Sequence, residues 1–205
     1  LDKLVENGLL HDKDVRVTFI AHSSFVDFER AWNFKEKALK KAYQNFVQKG
    51  MDTSNEFRNF CDIESYWLDD FALFESLKAD NKGKCWMEWP EKVRDRDKKV
   101  LERAREQNSE DIGFIKFEQF VFFTQWEELH EYANKNDVKL MGDMPIFIAQ
   151  DSADVWAHQE SFMLNPDGTA KTVSGVPPDY FSATGQLWGN PQYNWDVMKK
   201  DGYMW

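Results

Sequence analysis

Apolar residues recur at helical spacing through the first two-thirds of the chain. Between positions 34 and 49 (FKEKALKKAYQNFVQK), Phe34, Ala38, Leu39, Ala42, Phe46 and Val47 fall three and four apart with lysines opposite. That spacing predicts a helix burying one stripe. Residues 63–77 repeat the rhythm through Trp67, Leu68, Phe71, Phe74 and Leu77, and residues 52–60 form a short helix or lead into that one. WMEWP at 86–90 reads as a turn, and Pro90 is placed to start a charged helix running to about Gln107. The longest helical pattern, residues 110–134, is dense in aromatics: Phe114, Phe117, Phe120, Phe122, Phe123 and Trp126. Bulky residues at this spacing are core residues by default, and no cofactor follows from them.

After Asn136 the pattern changes. Residues 138–149 (VKLMGDMPIFIA) are a continuous apolar run broken by one glycine and one aspartate, which predicts a strand buried on both faces. A long helix, a short polar turn and such a strand make half of a βαβ unit, so the fold class is α/β with parallel strands and helices outside. Asp143 lies inside that strand, where an acid must be paired, hydrogen-bonded or protonated. It is either a structural acceptor or a functional group near a strand end. Asp151 or Ser152 caps a short helix through Trp156, and Asp154 and Asp179 are candidates for sugar hydroxyls or structural pairs. No repeat, low-complexity tract or Ser/Gly linker divides the chain. The expected organisation is one domain, mostly helical over 1–110, with a helix, a strand and a substrate loop over 111–205.

That loop, residues 175–195 (GVPPDYFSATGQLWGNPQYNW), combines flat apolar faces with short polar groups. Tyr180, Phe181, Trp188, Tyr193 and Trp195 alternate with Asp179, Ser182, Thr184, Gln186, Asn190 and Asn194. A sugar ring needs such a pairing: its C–H face stacks on an aromatic ring while its hydroxyl rim takes directional donors and acceptors. An aromatic loop packed down on its own core carries the same composition.

The net charge of −10 excludes broad attraction to nucleic acid or an anionic membrane, and leaves a neutral glycan unaffected. No apolar run approaches the roughly 20 residues of a membrane span, and no signal segment opens the chain. The cytoplasm is the expected compartment. Cys61 and Cys85 have neither metal-ligand spacing nor the density of a disulfide framework. His11, His22, His130 and His158 are scattered, so a metal site is not expected. Nucleotide-binding fingerprints and the Gly-x-Ser-x-Gly elbow are absent from the sequence. Glycosidic chemistry needs two carboxyl groups flanking the bond, and the sequence does not fix the distance between Asp143 and Asp179.

Several runs resemble the 4-α-glucanotransferases called amylomaltase or disproportionating enzyme. The resemblance rests on GDMPIFIAQDSADVW (142–156) and GVPPDYFSATGQLWGNPQYNW (175–195), with weaker support from YWLDDFALF (66–74), QWEELHEYAN (125–134) and LVENGLL (4–10). It implies part of a (β/α)8 barrel with helical insertions, and retaining transfer of an α-1,4-glucan segment to a glucose or glucan acceptor. The partner implied is a malto-oligosaccharide, and no cofactor is implied. By the same resemblance Asp143 orients residues around the reacting sugar, Asp179 to Ser182 overhang the cleft, Tyr180 and Phe181 guide the glucan, and Gln186 and Trp188 contact bound sugar. The family's nucleophilic aspartate, in an Arg-x-Asp motif, and its acid/base glutamate follow the last motif matched here. The expectation is therefore an internal piece of such an enzyme, starting at Leu1 without a Met, inactive alone and prone to aggregate. A hydrolase of the same fold and a non-catalytic glucan-binding relative are the alternatives.

Overall fold

The computed structural model describes residues 1–16 and 25–204, so His22 and Trp205 lie outside the described residues. The chain separates into two compact units, Leu1–Ser65 with Gly113–Leu129, and Tyr66–Ile112 with His130–Trp205.

The first unit is helical. It contains α1 (Asp2–Glu6), α2 (Asp12–Val15), α3 (Phe28–Gln48), α4 (Asn55–Ile63) and the middle of α8 (Ser109–Lys135). The apolar stripe of α3 places Ala38, Ala42 and Phe46 in the core, as its spacing predicts. The helix begins six residues before position 34. Asp27 caps it by accepting the Arg30 amide at 3.0 Å, while Phe28 and Trp32 in its first turns stay exposed and so contribute nothing to the buried rhythm. Ser54 caps α4 through the Phe57 amide. Phe46 is the hub, 4.9 Å from Phe117 and 5.3 Å edge-on to Phe57 between ring centroids. Burying a side chain of this kind contributes about 1.5–3 kcal/mol. Gly113 in α8 leaves room for Tyr43, whose hydroxyl would stand 2.2 Å from any added Cβ.

The expectation that every aromatic of α8 is core needs correction. Phe117 is fully buried and Phe114, Phe120 and Phe123 are partly so, but Phe122 is 58% and Trp126 45% exposed. Phe122 follows Phe117 by five residues, about 140° around the helix, and so lies off the buried stripe.

The second unit holds α5 from Tyr66 onward (the helix spans Ser65–Asp80), α6 (Glu91–Arg94), α7 (Lys98–Gln107), α9 (Ala153–Ala157), α10 (Trp195–Lys200) and the strands β1 (Val173–Val176) and β2 (Gln186–Pro191). Its core gathers Leu73, Phe74, Leu77, Trp86, Trp89, Leu101, Val155, Trp156 and Phe162. WMEWP is a 3-10 turn at Trp86–Glu88, and it buries both tryptophans. The single charged helix expected from Pro90 to Gln107 is instead two. The chain breaks at Arg96, which takes a left-handed φ of 60°, and Asp97 restarts the helix by capping Lys99 and Val100. The break is held in place by the Arg96 guanidinium, 2.8 Å from Asp70 and 4.3 Å above the Trp156 ring.

The buried strand expected at 138–149 does not form. Among the described residues the sheet is a two-stranded antiparallel β1–β2 pair, and residues 138–149 pair with no strand. Met141 is 98%, Met144 84% and Ile146 75% exposed, and Asp143 is exposed rather than buried in a strand. A strand is stable only with a neighbour to complete its hydrogen-bond ladder, and an apolar run without one stays irregular. The far end of the segment is nonetheless pinned. The Gln150 backbone carbonyl accepts the Trp86 indole N–H at 2.7 Å, and Asp151 pairs with Lys78 at 2.5 Å. Ser152 is the cap of α9, through the Val155 amide.

Candidate functional site

Residues 175–195 are half strand and half tip. β1 and β2 pair with Gly175 opposite Leu187 and Val176 opposite Gln186, and residues 177–185 project between them. Gly185 is required there: its φ is 75°, and a Cβ would meet the Val176 carbonyl oxygen at 2.6 Å.

The tip is shaped by one carboxylate. Asp179 Oδ1 accepts the amides of Phe181 at 2.9 Å and Ser182 at 2.8 Å, and the Asp179 amide donates to the Ser182 carbonyl. Ser182 Oγ closes the turn on the Gly185 carbonyl at 2.8 Å. Asp179 and Ser182 thus act first as turn-formers. Tyr180 and Phe181 stand clear of the protein at 96% and 88% exposure, with their rings perpendicular and 5.5 Å apart. At its tip, then, the loop does not pack down on the described residues.

Gln186 and Trp188 project from β2, and the Trp188 indole N–H donates to Gln186 Oε1 at 3.0 Å. That bond fixes the ring plane while leaving about half of the residue open to solvent. Asp143 makes no hydrogen bond within the described residues. It sits on the 138–149 segment, which the hairpin region holds at two points: Asn190 Nδ2 donates to the Ile148 carbonyl at 2.7 Å and the Tyr193 hydroxyl to the Ile146 carbonyl at 3.0 Å. Between those carbonyls Phe147 stacks on Tyr193 (6.3 Å, 15°) and meets Trp188 edge-on at 6.0 Å.

The arrangement is an exposed aromatic pair on a preformed tip, an oriented indole at its base and a free carboxylate on the adjoining segment. It can hold a polyhydroxylated ring, and it contains no assembled pair of catalytic carboxylates. Cys85 is not primed as a nucleophile, since burial and then the Asp151 carboxylate push its thiol pKa up.

A family model described as 4-alpha-glucanotransferase matches residues 1–205. The chain belongs to the 4-alpha-glucanotransferase family. The Thermus thermophilus 4-alpha-glucanotransferase is 44% identical over 87% of this chain and 36% of its own length. The Clostridium butyricum enzyme is 40% identical over 100% of this chain and 42% of its own, and the chloroplastic/amyloplastic protein of Arabidopsis thaliana is 39% identical over 100% and 36%. The solved amylomaltase of Streptococcus agalactiae in complex with acarbose matches with a TM-score of 0.92 and 35% identity, covering 100% of this chain and 41% of that one. The chain thus shares the fold of the corresponding part of an amylomaltase and spans about two-fifths of the length of these 4-alpha-glucanotransferase relatives.

Of the seven site residues expected from the sequence, the hairpin brings together Asp179, Tyr180, Phe181, Ser182, Gln186 and Trp188, with Asp143 on the segment beside it. The contacts of Asn190 and Tyr193 with the Ile148 and Ile146 carbonyls, and of Phe147 with Tyr193 and Trp188, were not legible in the sequence. Their signal, an amide and a phenol downstream of an apolar run, acquires meaning only once that run is seen to lack a ladder.

Proposed function

We propose that this chain forms the glucan-holding part of a 4-alpha-glucanotransferase built on a (β/α)8 barrel, acting on α-1,4-linked malto-oligosaccharides in the cytoplasm. The observation that carries the reading is the correspondence of the whole chain with an amylomaltase solved with acarbose, a relative in which a glucan-like ligand is bound. In this reading Tyr180 and Phe181 overhang the sugar chain, Trp188 stacks on a bound ring with Gln186 beside it, and Asp143 faces the reacting sugar. Residues 1–110 are a helical insertion region and 111–205 part of the barrel domain. The chemistry is double displacement, in which a carboxylate attacks the anomeric carbon, a second carboxyl group protonates the leaving oxygen, and an acceptor sugar then takes the place of water. Neither of those carboxyl groups is assigned within these residues, and the chain alone is expected to be inactive. Stacking by an exposed aromatic pair keeps an acceptor over the site at the expense of water, which favours transfer over hydrolysis.

The test is product analysis of the intact gene product with maltotriose. Glucose together with oligomers longer than maltotriose is the expected outcome. Only shorter sugars would mean a hydrolase, and glucan binding without turnover a non-catalytic relative.

A further inference from the structure

The segment carrying Asp143 is held from the hairpin side. Among the described residues it pairs with no strand, yet the carbonyls on either side of Phe147 are each held by a side chain from the hairpin region. We propose that Tyr193 and Asn190 are positioning residues of the glucan site, which hold the Ile146 and Ile148 carbonyls and so set the Phe147 ring against Trp188. The proposal rests on the glucan-site reading above and assigns these two residues a part in substrate affinity.

Three features carry it. The bonds are good ones, 3.0 and 2.7 Å, and they bracket a single residue. Phe147 touches both the residue that holds it and the residue it would set: its ring lies nearly parallel to Tyr193 and edge-on to Trp188. Tyr193 is itself well anchored, with its ring 5.5 Å from Phe162 and 5.3 Å from Trp195, so its hydroxyl is delivered from a fixed base. Burial, and then the Asp154 carboxylate, push the Tyr193 pKa up, in the same direction as the donor role of its hydroxyl. Trp188 is held at one edge by Gln186 and at another by Phe147. A shift of the 146–148 backbone therefore tilts the indole without touching the tip of the hairpin.

The test is a double-mutant cycle on the intact gene product, with KM for maltotriose as the readout. Tyr193→Phe removes the hydroxyl and keeps the ring packing. It is expected to raise KM about 3- to 10-fold, the range of one lost hydrogen bond, with little change in kcat. In a Trp188→Ala background the same substitution is expected to have no further effect on KM, because Tyr193 acts through Trp188. Asn190→Asp, which sets an acceptor against the Ile148 carbonyl, is an independent second variant and is expected to behave alike. An unchanged KM in both folded variants, or effects that multiply with that of Trp188→Ala, would overturn the proposal, since a merely structural role lowers stability without depending on Trp188. If Trp188→Ala by itself leaves KM unchanged, the glucan-site reading fails first, and the positioning role falls with it.

Discussion

Tryptophans show how far a single residue type can be read without a structure. Trp156 and Trp188 both lie in aromatic, glycine-containing stretches, yet one is fully buried and the other half open. Trp156 donates its indole N–H to the Val93 carbonyl, meets Trp89 edge-on at 5.7 Å and carries Arg96 on its face. Trp156→Ala is expected to cost about 3–5 kcal/mol, read as a lowered midpoint in urea. A loss below about 1 kcal/mol would contradict its place at the centre of the second unit's core. Tyr180 and Phe181 make the opposite prediction. Because both are exposed at the tip, replacing them together with Ala leaves the unfolding midpoint nearly unchanged. In the proposed glucanotransferase it is expected to raise the ratio of hydrolysis to transfer, measured on the intact gene product as reducing sugar released against chain lengthening. An unchanged ratio would remove the pair from the acceptor path. The sequence made the chemistry of these side chains legible but not their exposure, which depends on what packs against them from distant positions.

Among elements, those set by local chemistry were the readable ones. The stripe of α3, the span of α8 and the Ser152 cap of α9 follow from spacing and from side chains that bind nearby amides. The break between α6 and α7 was not readable. Arginine gives no sequence cue for a left-handed φ, and what holds Arg96 there is Asp70, twenty-six residues away. Asp97, which caps the restarted helix through two amides, makes the break testable: Asp97→Ala is expected to cost about 1 kcal/mol in chemical denaturation. No measurable change would mean that the Arg96 contacts alone enforce the break. In α2, Asp14 is held below the usual carboxylate range first by Lys41 at 2.6 Å and then by the His11 amide. A depressed folded-state pKa contributes stability that is fully present above the ordinary carboxylate pKa and is lost as pH falls through the folded one. Asp14→Asn should therefore flatten the stability profile below about pH 4 and leave the slope at neutral pH unchanged, as followed by thermal melts across pH.

For the whole molecule, the expected parallel strand and the observed irregular segment share one physical cause. Residues 138–149 have the composition of a strand buried on both faces, and composition cannot provide the neighbours that bury it. What remains is apolar surface: Met141, Met144 and Ile146 are exposed, and Met144, Pro145 and Ile146 join Tyr193, Trp195, Met198 and Tyr203 around an open cleft of about 450 Å³. Contiguous apolar patches of this kind are uncommon on monomeric proteins. The 205-residue chain by itself is expected to self-associate, and Met141→Lys with Ile146→Lys to shift it toward the monomer in light scattering. A monomer at tens of micromolar without those changes would show that the patch is tolerated. The hairpin tip contrasts with this dependence on distant partners. The hydrogen bonds that shape the tip run among Asp179, Phe181, Ser182 and Gly185, so residues 177–185 carry the instructions for their own shape. Such a piece behaves as a cassette. In the proposed glucan-holding reading, the grip on a sugar chain can therefore change with residues 177–185 alone while the surrounding scaffold stays as it is.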